Sequence, residues 1–314
     1  MVERRVLWLV GALIALSALF LLWQLRAPMG FILSLRGTKL ASLILVGAAT
    51  GIATVLFQTV AGNRLLTPGI VGFDALFVFI QTALVLSLGG IGYATLPSVA
   101  KFLFETGALV GTGLLLFGGL LLRDARDLTR MILTGVILGV MLRGLAEMMQ
   151  RVMAPSEFAV VQQALFATFG AVDTNQLWIA GALLGAATVA ALRLAPALDV
   201  AALGRDRARS LGLGYDFLML QALALVAVLV AVATALVGPM TFLGLLAASL
   251  AREITGTHRH AAVLPAAGLM GALILVAGQF GFERLLSRQS ALAVMVEFFG
   301  GLLFLLLVLR RRSV

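Results

Sequence analysis

Asp74, Glu105, Arg143, Glu147 and Glu297 stand inside or at the edge of long apolar stretches of the chain. A charged side chain at bilayer depth is costly, so each is by default a functional candidate. Carboxylates held there could serve an ion gradient, the chemistry of a carrier that couples transport to ion movement. Arg143 and Glu147 are four apart and can pair along one helix face, as can Lys101 and Glu105. Asp74 follows Pro68 by six residues and adjoins Phe73; it can lie near the cytoplasmic interface or face a central path. Glu297 has no basic residue near it on its own helix, so it must face protein or water. With Gln58 and Asn63, Asp74 and Glu297 form the candidate lining of a translocation path. His258 and His260 are two apart, which is not a helical i,i+4 ligand pair, and read as solvated loop residues. No metal site is expected.

Catalytic patterns are missing. The two lysines, Lys39 and Lys101, do not follow Gly, so there is no G-x-x-x-x-G-K-[ST] phosphate loop. Neither H-E-x-x-H nor G-x-S-x-G occurs, and the absence of Cys removes disulfides, thiolate metal sites and Cys nucleophiles. The sequence describes a conduit, not an enzyme. A conduit needs an energy source, either an ion gradient or a separate ATPase.

The elements that would position these groups are membrane helices. Of 314 residues 61% are hydrophobic and only 12% charged, with a mean hydropathy of +1.10. A bilayer core of roughly 30 Å needs about 20 apolar helical residues. Runs of that length recur without period-two alternation, which favours helices over a barrel. Ten spans are expected, at 6–25, 40–62, 68–89, 100–122, 131–150, 177–197, 217–237, a short one near 240–253, 261–281 and 291–309. The first exceeds a signal h-region and lacks a cleavage site, so it is read as retained. The gap 151–176 should hold a short interfacial helix. The whole of 1–314 reads as a single transmembrane domain, all-α and polytopic.

Orientation follows from the basic residues. Fifteen of the 23 Lys and Arg fall in loops on the side of the N-terminus, seven on the opposite side, and Arg143 lies within a span. The positive-inside rule therefore puts both termini in the cytoplasm. That rule also accounts for the net charge of +9 better than nucleic-acid binding, because the arginines are scattered and no aromatic-rich basic face accompanies them. Gly47/Gly51, Gly107/Gly111, Gly135/Gly139 and Gly181/Gly185 are GxxxG pairs, expected to pack helices closely.

The densest polar island is Gly204-Arg205-Asp206-Arg207-Ala208-Arg209-Ser210-Leu211-Gly212, between apolar runs 177–198 and 217–237. Gly204 can cap a short helix that Gly212 and Gly214 end. Arg205 and Arg209 share one face, and Ala208 with Leu211 form a small apolar patch suited to a soluble partner. An ordinary solvated loop carrying retention charges accounts for the same composition.

This island resembles the G-x-x-x-A-x-x-L-G segment of FecCD-type ABC permeases. Val237-Gly238-Pro239-Met240-Thr241-Phe242-Leu243-Gly244-Leu245 is similar to the family's V-G-x-I-x-F-V-G-L segment. Arg252, Gly256-Thr257-His258-Arg259-His260 and Leu264-Pro265 continue the likeness, and 36–73 resembles the family's second helix and its N-P-L-x-x-P-x-x-L-G turn. Departures are Asn63-Arg64 for N-P, Ala247-Ala248 for P-H, and no Pro-Gly across 287–292.

The resemblance implies an importer of iron-siderophores, haem or cobalamin, in the bacterial inner membrane. Two permease subunits would flank a central path above an ABC ATPase dimer, with a periplasmic or lipid-anchored binding protein docking from outside. ATP would be used by the ATPase, and this chain would bind no cofactor itself. Coupling to the ATPase would fall to Gly204, Arg205, Arg207, Ala208, Arg209, Leu211 and Gly212. Arg36, Lys39 and Arg284 would receive acidic residues of the binding protein. Val55-Leu56-Phe57-Gln58-Thr59 and Gly72-Phe73-Asp74-Ala75-Leu76 look most like a subgroup serving catecholate and mixed siderophores such as petrobactin. Its members usually pair with a second, different permease, so a heterodimer carrying ferric siderophore is the expectation.

Overall fold

Long, mostly apolar runs separated by Gly, Pro and charge clusters, with short polar helices between some of them, give thirteen α-helices among the described residues. The computed structural model describes residues 2–25, 27–121, 128–170, 172–285 and 292–310. In order the helices are α1 (Val2–Leu22), α2 (Met29–Ala61), α3 (Phe73–Ala94), α4 (Ser98–Leu121), α5 (Leu128–Arg151), α6 (Pro155–Leu165) and α7 (Thr174–Arg193). There follow α8 (Ala195–Ala201), α9 (Arg205–Ser210), α10 (Tyr215–Val237), α11 (Leu243–Thr255), α12 (His260–Phe280) and α13 (Leu292–Arg310). A 3₁₀ turn, Gly69–Val71, leads into α3, and a π turn, Gly281–Leu285, follows α12.

Among the described residues eight helices, α1–α5, α7, α10 and α12, are long and apolar enough to cross a membrane. Apolar α13 has 19 residues. The expected eighth span is α11, whose 13 residues rise only about 20 Å, short of the bilayer core. The interfacial helix expected in 151–176 is α6. The stretch 287–291, where Pro-Gly is missing, lies outside the described residues.

Helix α2 begins eleven residues before the expected span. Arg36 and Lys39 looked like a boundary, but their charges are satisfied without breaking the helix. Arg36 donates to the carbonyl oxygens of Leu21 and Trp23 at 2.6 and 2.9 Å, and Lys39 pairs with Glu283.

Helices α2, α10 and α12 form the buried centre, and α2 against α12 is the most extensive helix contact among the described residues. The contact is backbone to backbone. A Cβ on Gly47 would lie 2.6 Å from the Ala272 nitrogen, and one on Gly51 2.7 Å from the Ala267 carbonyl carbon. Gly135 and Gly139 likewise admit Val71 and Gly72. Among the described residues nothing would meet a Cβ on Gly107, Gly111 or Gly185, so the Gly107/Gly111 pair packs no helix here and of the Gly181/Gly185 pair only Gly181 does, against Leu45 at 3.5 Å. Spacing alone cannot tell a contact face from a lipid face, since lipid and helix are equally apolar. Gly51→Leu should lower stability by about 3 kcal/mol through overpacking, whereas Gly111→Leu should be near neutral; thermal unfolding in detergent compares them.

Glu105 is tied into a closed network. It accepts from Gln81 at 2.7 Å and lies 3.9 Å from Lys101; Gln81 accepts from Tyr93 at 2.6 Å, and Lys101 contacts the Tyr93 hydroxyl and ring. The expected Lys101–Glu105 pairing is present, with two further partners from α3.

Candidate functional site

Helix α10 ends where Gly238 adopts φ 107° and Pro239 offers no N–H, so the chain leaves helical geometry inside the membrane domain before α11 begins. Unpaired backbone at that depth is tolerated only where protein or a cavity satisfies it. Three elements do so. The N–H of Thr168, in the segment after α6, donates to the Val237 carbonyl at 2.8 Å. Thr241 donates its backbone N–H to Glu297 Oε1 on α13 at 3.2 Å and its hydroxyl to Asp74 Oδ2 on α3 at 2.5 Å. Two carboxylates from distant helices thus converge on one residue of the break.

Beside the break is a cavity of about 230 Å³, lined by Asp74, Arg143, Phe166, Pro239, Thr241 and Glu297 among others. On the other side of Asp74 a void of about 20 Å³ is bounded by Thr50, Thr54 and Thr234. Asp74, only 7% exposed, sits in the first turn of α3, where the helix dipole favours its negative charge. Asp74 is buried at the edge of the cavity that Thr241 and Glu297 also line. Glu297 faces both protein and cavity. Arg143 departs from expectation: no ion pair joins it to Glu147 among the described residues, and it lines the cavity instead. The arrangement can hold a polar or charged group at membrane depth between opposite charges.

Gln58 and Asn63 are not brought to this cavity. Gln58, 2% exposed, accepts from Arg252 at 2.5 Å and donates to the Arg64 carbonyl at 2.7 Å. Asn63 accepts from the Leu65 N–H at 3.0 Å within the turn after α2. Both stabilise the end of α2. Sequence reasoning missed Thr241 and Thr168; the Gly-Pro pair closing a 23-residue apolar helix was the available signal.

On the arginine-rich face, 204–212 does form a helix, α9, flanked by Gly204 at φ 98° and Gly212 at φ 83°. Arg205 grips Asp216 with two bonds of 3.1 Å, and Arg209 joins the same carboxylate. These arginines therefore fasten α9 to α10, while Arg207 stays exposed. Ala208 is 0% exposed and packs inward, which corrects its expected place in an outward patch; Leu211, 66% exposed, does face out, with Leu203 nearby at 50%. A six-residue helix needs one side seated on the domain, and the smallest residue takes that side. His260 is also corrected: it is buried and bonded to Asp199, and only His258 is a solvated loop histidine. Arg5 donates to the Ile254 carbonyl at 2.8 Å, which puts the start of α1 at the end of α11.

At the opposite end Arg36, Lys39 and Arg284 come together around the C-terminal ends of α1 and α12. Gln279 donates to Glu283 at 2.8 Å, Glu283 pairs with Lys39, and Trp23 packs edge-on to Phe280 with centroids 5.6 Å apart. The buried Arg284 Nε has no hydrogen-bond partner among the described residues.

Long apolar helices around a charged cavity at membrane depth define a transport subunit rather than a catalytic one. The chain belongs to the FecCD transport family, which matches residues 9–310, and is thus a multi-pass permease of a bacterial inner-membrane ABC importer. As such it works with an ATPase and a binding protein. It is 34% identical over 311 residues to the petrobactin import system permease protein YclO of Bacillus subtilis (strain 168), covering 99% of this chain and 98% of that protein. The petrobactin import system permease protein FatC of Bacillus anthracis is 31% identical over 278 residues, covering 88% and 78%. The ferric enterobactin transport system permease protein FepD of Escherichia coli (strain K12) is 30% identical over 271 residues, covering 85% and 78%. In fold the chain matches an inward-facing metal-chelate type ABC transporter with TM-score 0.82 and 22% identity, covering 98% of this chain and 99% of that one.

Proposed function

We propose that this permease moves a ferric siderophore inward, past the cavity at the α10–α11 break, driven by an ATPase that contacts the face around Leu203, Arg207 and Leu211. The observation that carries the reading is the end-to-end likeness to a petrobactin import permease. The cavity supports it, because it offers charge of both signs on a route otherwise walled by apolar helices. The ion-coupled alternative loses one carboxylate, since Glu105 is held by Gln81 and Lys101. Uptake of radiolabelled iron bound to petrobactin, in vesicles holding the assembled importer, should require ATP. Uptake driven by a pH gradient without the ATPase would overturn this. Competition by unlabelled ferric enterobactin, haem and cobalamin ranks the cargo, and displacement by haem or cobalamin alone would replace siderophore with that cargo.

A second permease subunit fits against α5 and α13. Val140 is 69% exposed, Met148 67% and Phe298 63%, and the same side of α5 also exposes Arg143 and Glu147. Exposed charges at membrane depth are not compatible with lipid, so this side faces a path and a partner. The partner is a different permease, as in the subgroup the sequence resembles. Intact mass of the complex purified on a tag carried only by this chain should show one copy each of two permeases; two copies of this chain would contradict it.

The binding protein docks on the Arg36–Lys39–Arg284 end. Arg284→Glu should weaken docking roughly tenfold at low salt, with the difference shrinking as salt rises. Arg36→Glu is a poorer probe, because it also strips the end of α1 of its donor. Equal affinity of Arg284→Glu and wild type at low salt would remove the assignment.

A further inference from the structure

We propose that Asp199 and His260 form a joint that transmits movement of the ATPase-contacting segment to the transmembrane helices, with Thr59 as its second anchor. The inference rests on the reading of α9 and Leu211 as the ATPase contact.

Asp199 lies on α8, the short helix immediately ahead of α9, and α8 packs against α12. Its Oδ1 accepts the backbone N–H of His260, the first residue of α12, at 2.7 Å and lies 2.6 Å from the same residue's Nδ1. On the far side of the ring, Nε2 is 2.8 Å from Thr59 Oγ1, in the last turn of α2. Thr59 is itself anchored to the Val55 carbonyl at 2.8 Å. One buried imidazole therefore bridges α8, α12 and α2.

What the joint would move follows from packing. Helices α2 and α12 meet backbone to backbone at Gly47–Gly271 and Gly51–Ala267, so neither can slide far without the other. The segment 195–216 then has two outputs. Through Arg205, Arg209 and Asp216 it holds the start of α10, which ends at the break beside the cavity. Through Asp199 and His260 it holds the α2–α12 pair. Thr50 and Thr54 of α2 border the void next to Asp74, so the second output also reaches the cavity wall.

A competing account is that Asp199 only caps α12, whose own N-cap residue, Arg259, makes no side-chain capping bond. The two accounts separate experimentally. The assembled importer carrying Asp199→Ala or His260→Ala should keep its ATPase and hydrolyse ATP at the basal rate. Iron delivered as ferric petrobactin per ATP should fall about tenfold. Spin labels at Ala202 and Ala261, both exposed, should keep their separation on nucleotide binding in the wild type and lose it in Asp199→Ala, a readout that needs no cargo. Arg259→Ser supplies a local cap for α12 without rebuilding the bridge. If Arg259→Ser restores the Asp199→Ala variant fully, or the labels behave alike with and without Asp199, the joint is refuted. Retained ATPase binding by Leu211→Glu would remove the input face and the joint with it. Loss of binding there, with unchanged iron per ATP in Asp199→Ala, overturns the joint alone.

Discussion

Asp74→Asn should cut iron uptake on the order of tenfold or more while leaving membrane insertion and ATPase association intact. Asparagine keeps the shape and can still accept from the Thr241 hydroxyl, so the break between α10 and α11 stays closed. What it removes is one of two negative charges facing Arg143 across the cavity. In a poorly solvated site that charge sets the local potential far more than an equivalent surface carboxylate would. Thr241→Val is the structural companion: it strips Asp74 of its hydroxyl donor and should cost about 1–3 kcal/mol of stability. Uptake assayed with each variant, beside thermal unfolding, separates charge from packing. Normal transport by Asp74→Asn would take the cavity off the path.

Leu211→Glu carries the second large expectation. A residue 66% exposed on a seated helix cannot be needed for the fold of this chain alone, yet a central apolar anchor in an interface contributes about 2 kcal/mol or more. Losing it should weaken ATPase binding by about thirtyfold, enough to abolish co-purification. Ala208→Asp should fail differently. With no exposure, Ala208 has no room for a carboxylate, so the variant should unseat α9 and lower the stability of the permease itself. Unfolding temperature distinguishes the two: unchanged for Leu211→Glu, lowered for Ala208→Asp. Intact co-purification of Leu211→Glu would move the contact away from α9.

Much of the site was legible because membrane insertion makes charge expensive. Asp74, Glu297 and Arg143 stood out as groups that need a wet or paired setting, and all three line one cavity. The partner of Arg143 was not legible. An i,i+4 rule sees only one helix, while the groups that share its cavity come from α3, α13 and the break. His260 shows the same limit: a spacing of two from His258 argued against a metal, but nothing local predicted Asp199, sixty-one residues away, as its partner.

By itself the sequence determined what the bilayer enforces: helices in place of strands, their approximate number, the arginine-rich face, and the short helix at 204–212. Those properties follow from local composition, since each helix satisfies its own backbone and each Arg avoids lipid wherever the rest of the chain goes. Only the tertiary structure decided which side of each helix is buried. It turned Ala208 inward and left Leu211 outward, packed Gly51 against α12 while leaving Gly111 open, and drew Asp74 and Glu297 to Thr241 but not Gln58. The reason is that inside a membrane apolar surface gains little from facing protein over lipid, so hydrophobic pattern no longer marks the core. Close backbone approach and hydrogen bonds between distant segments decide the faces instead, and neither is written in the local sequence.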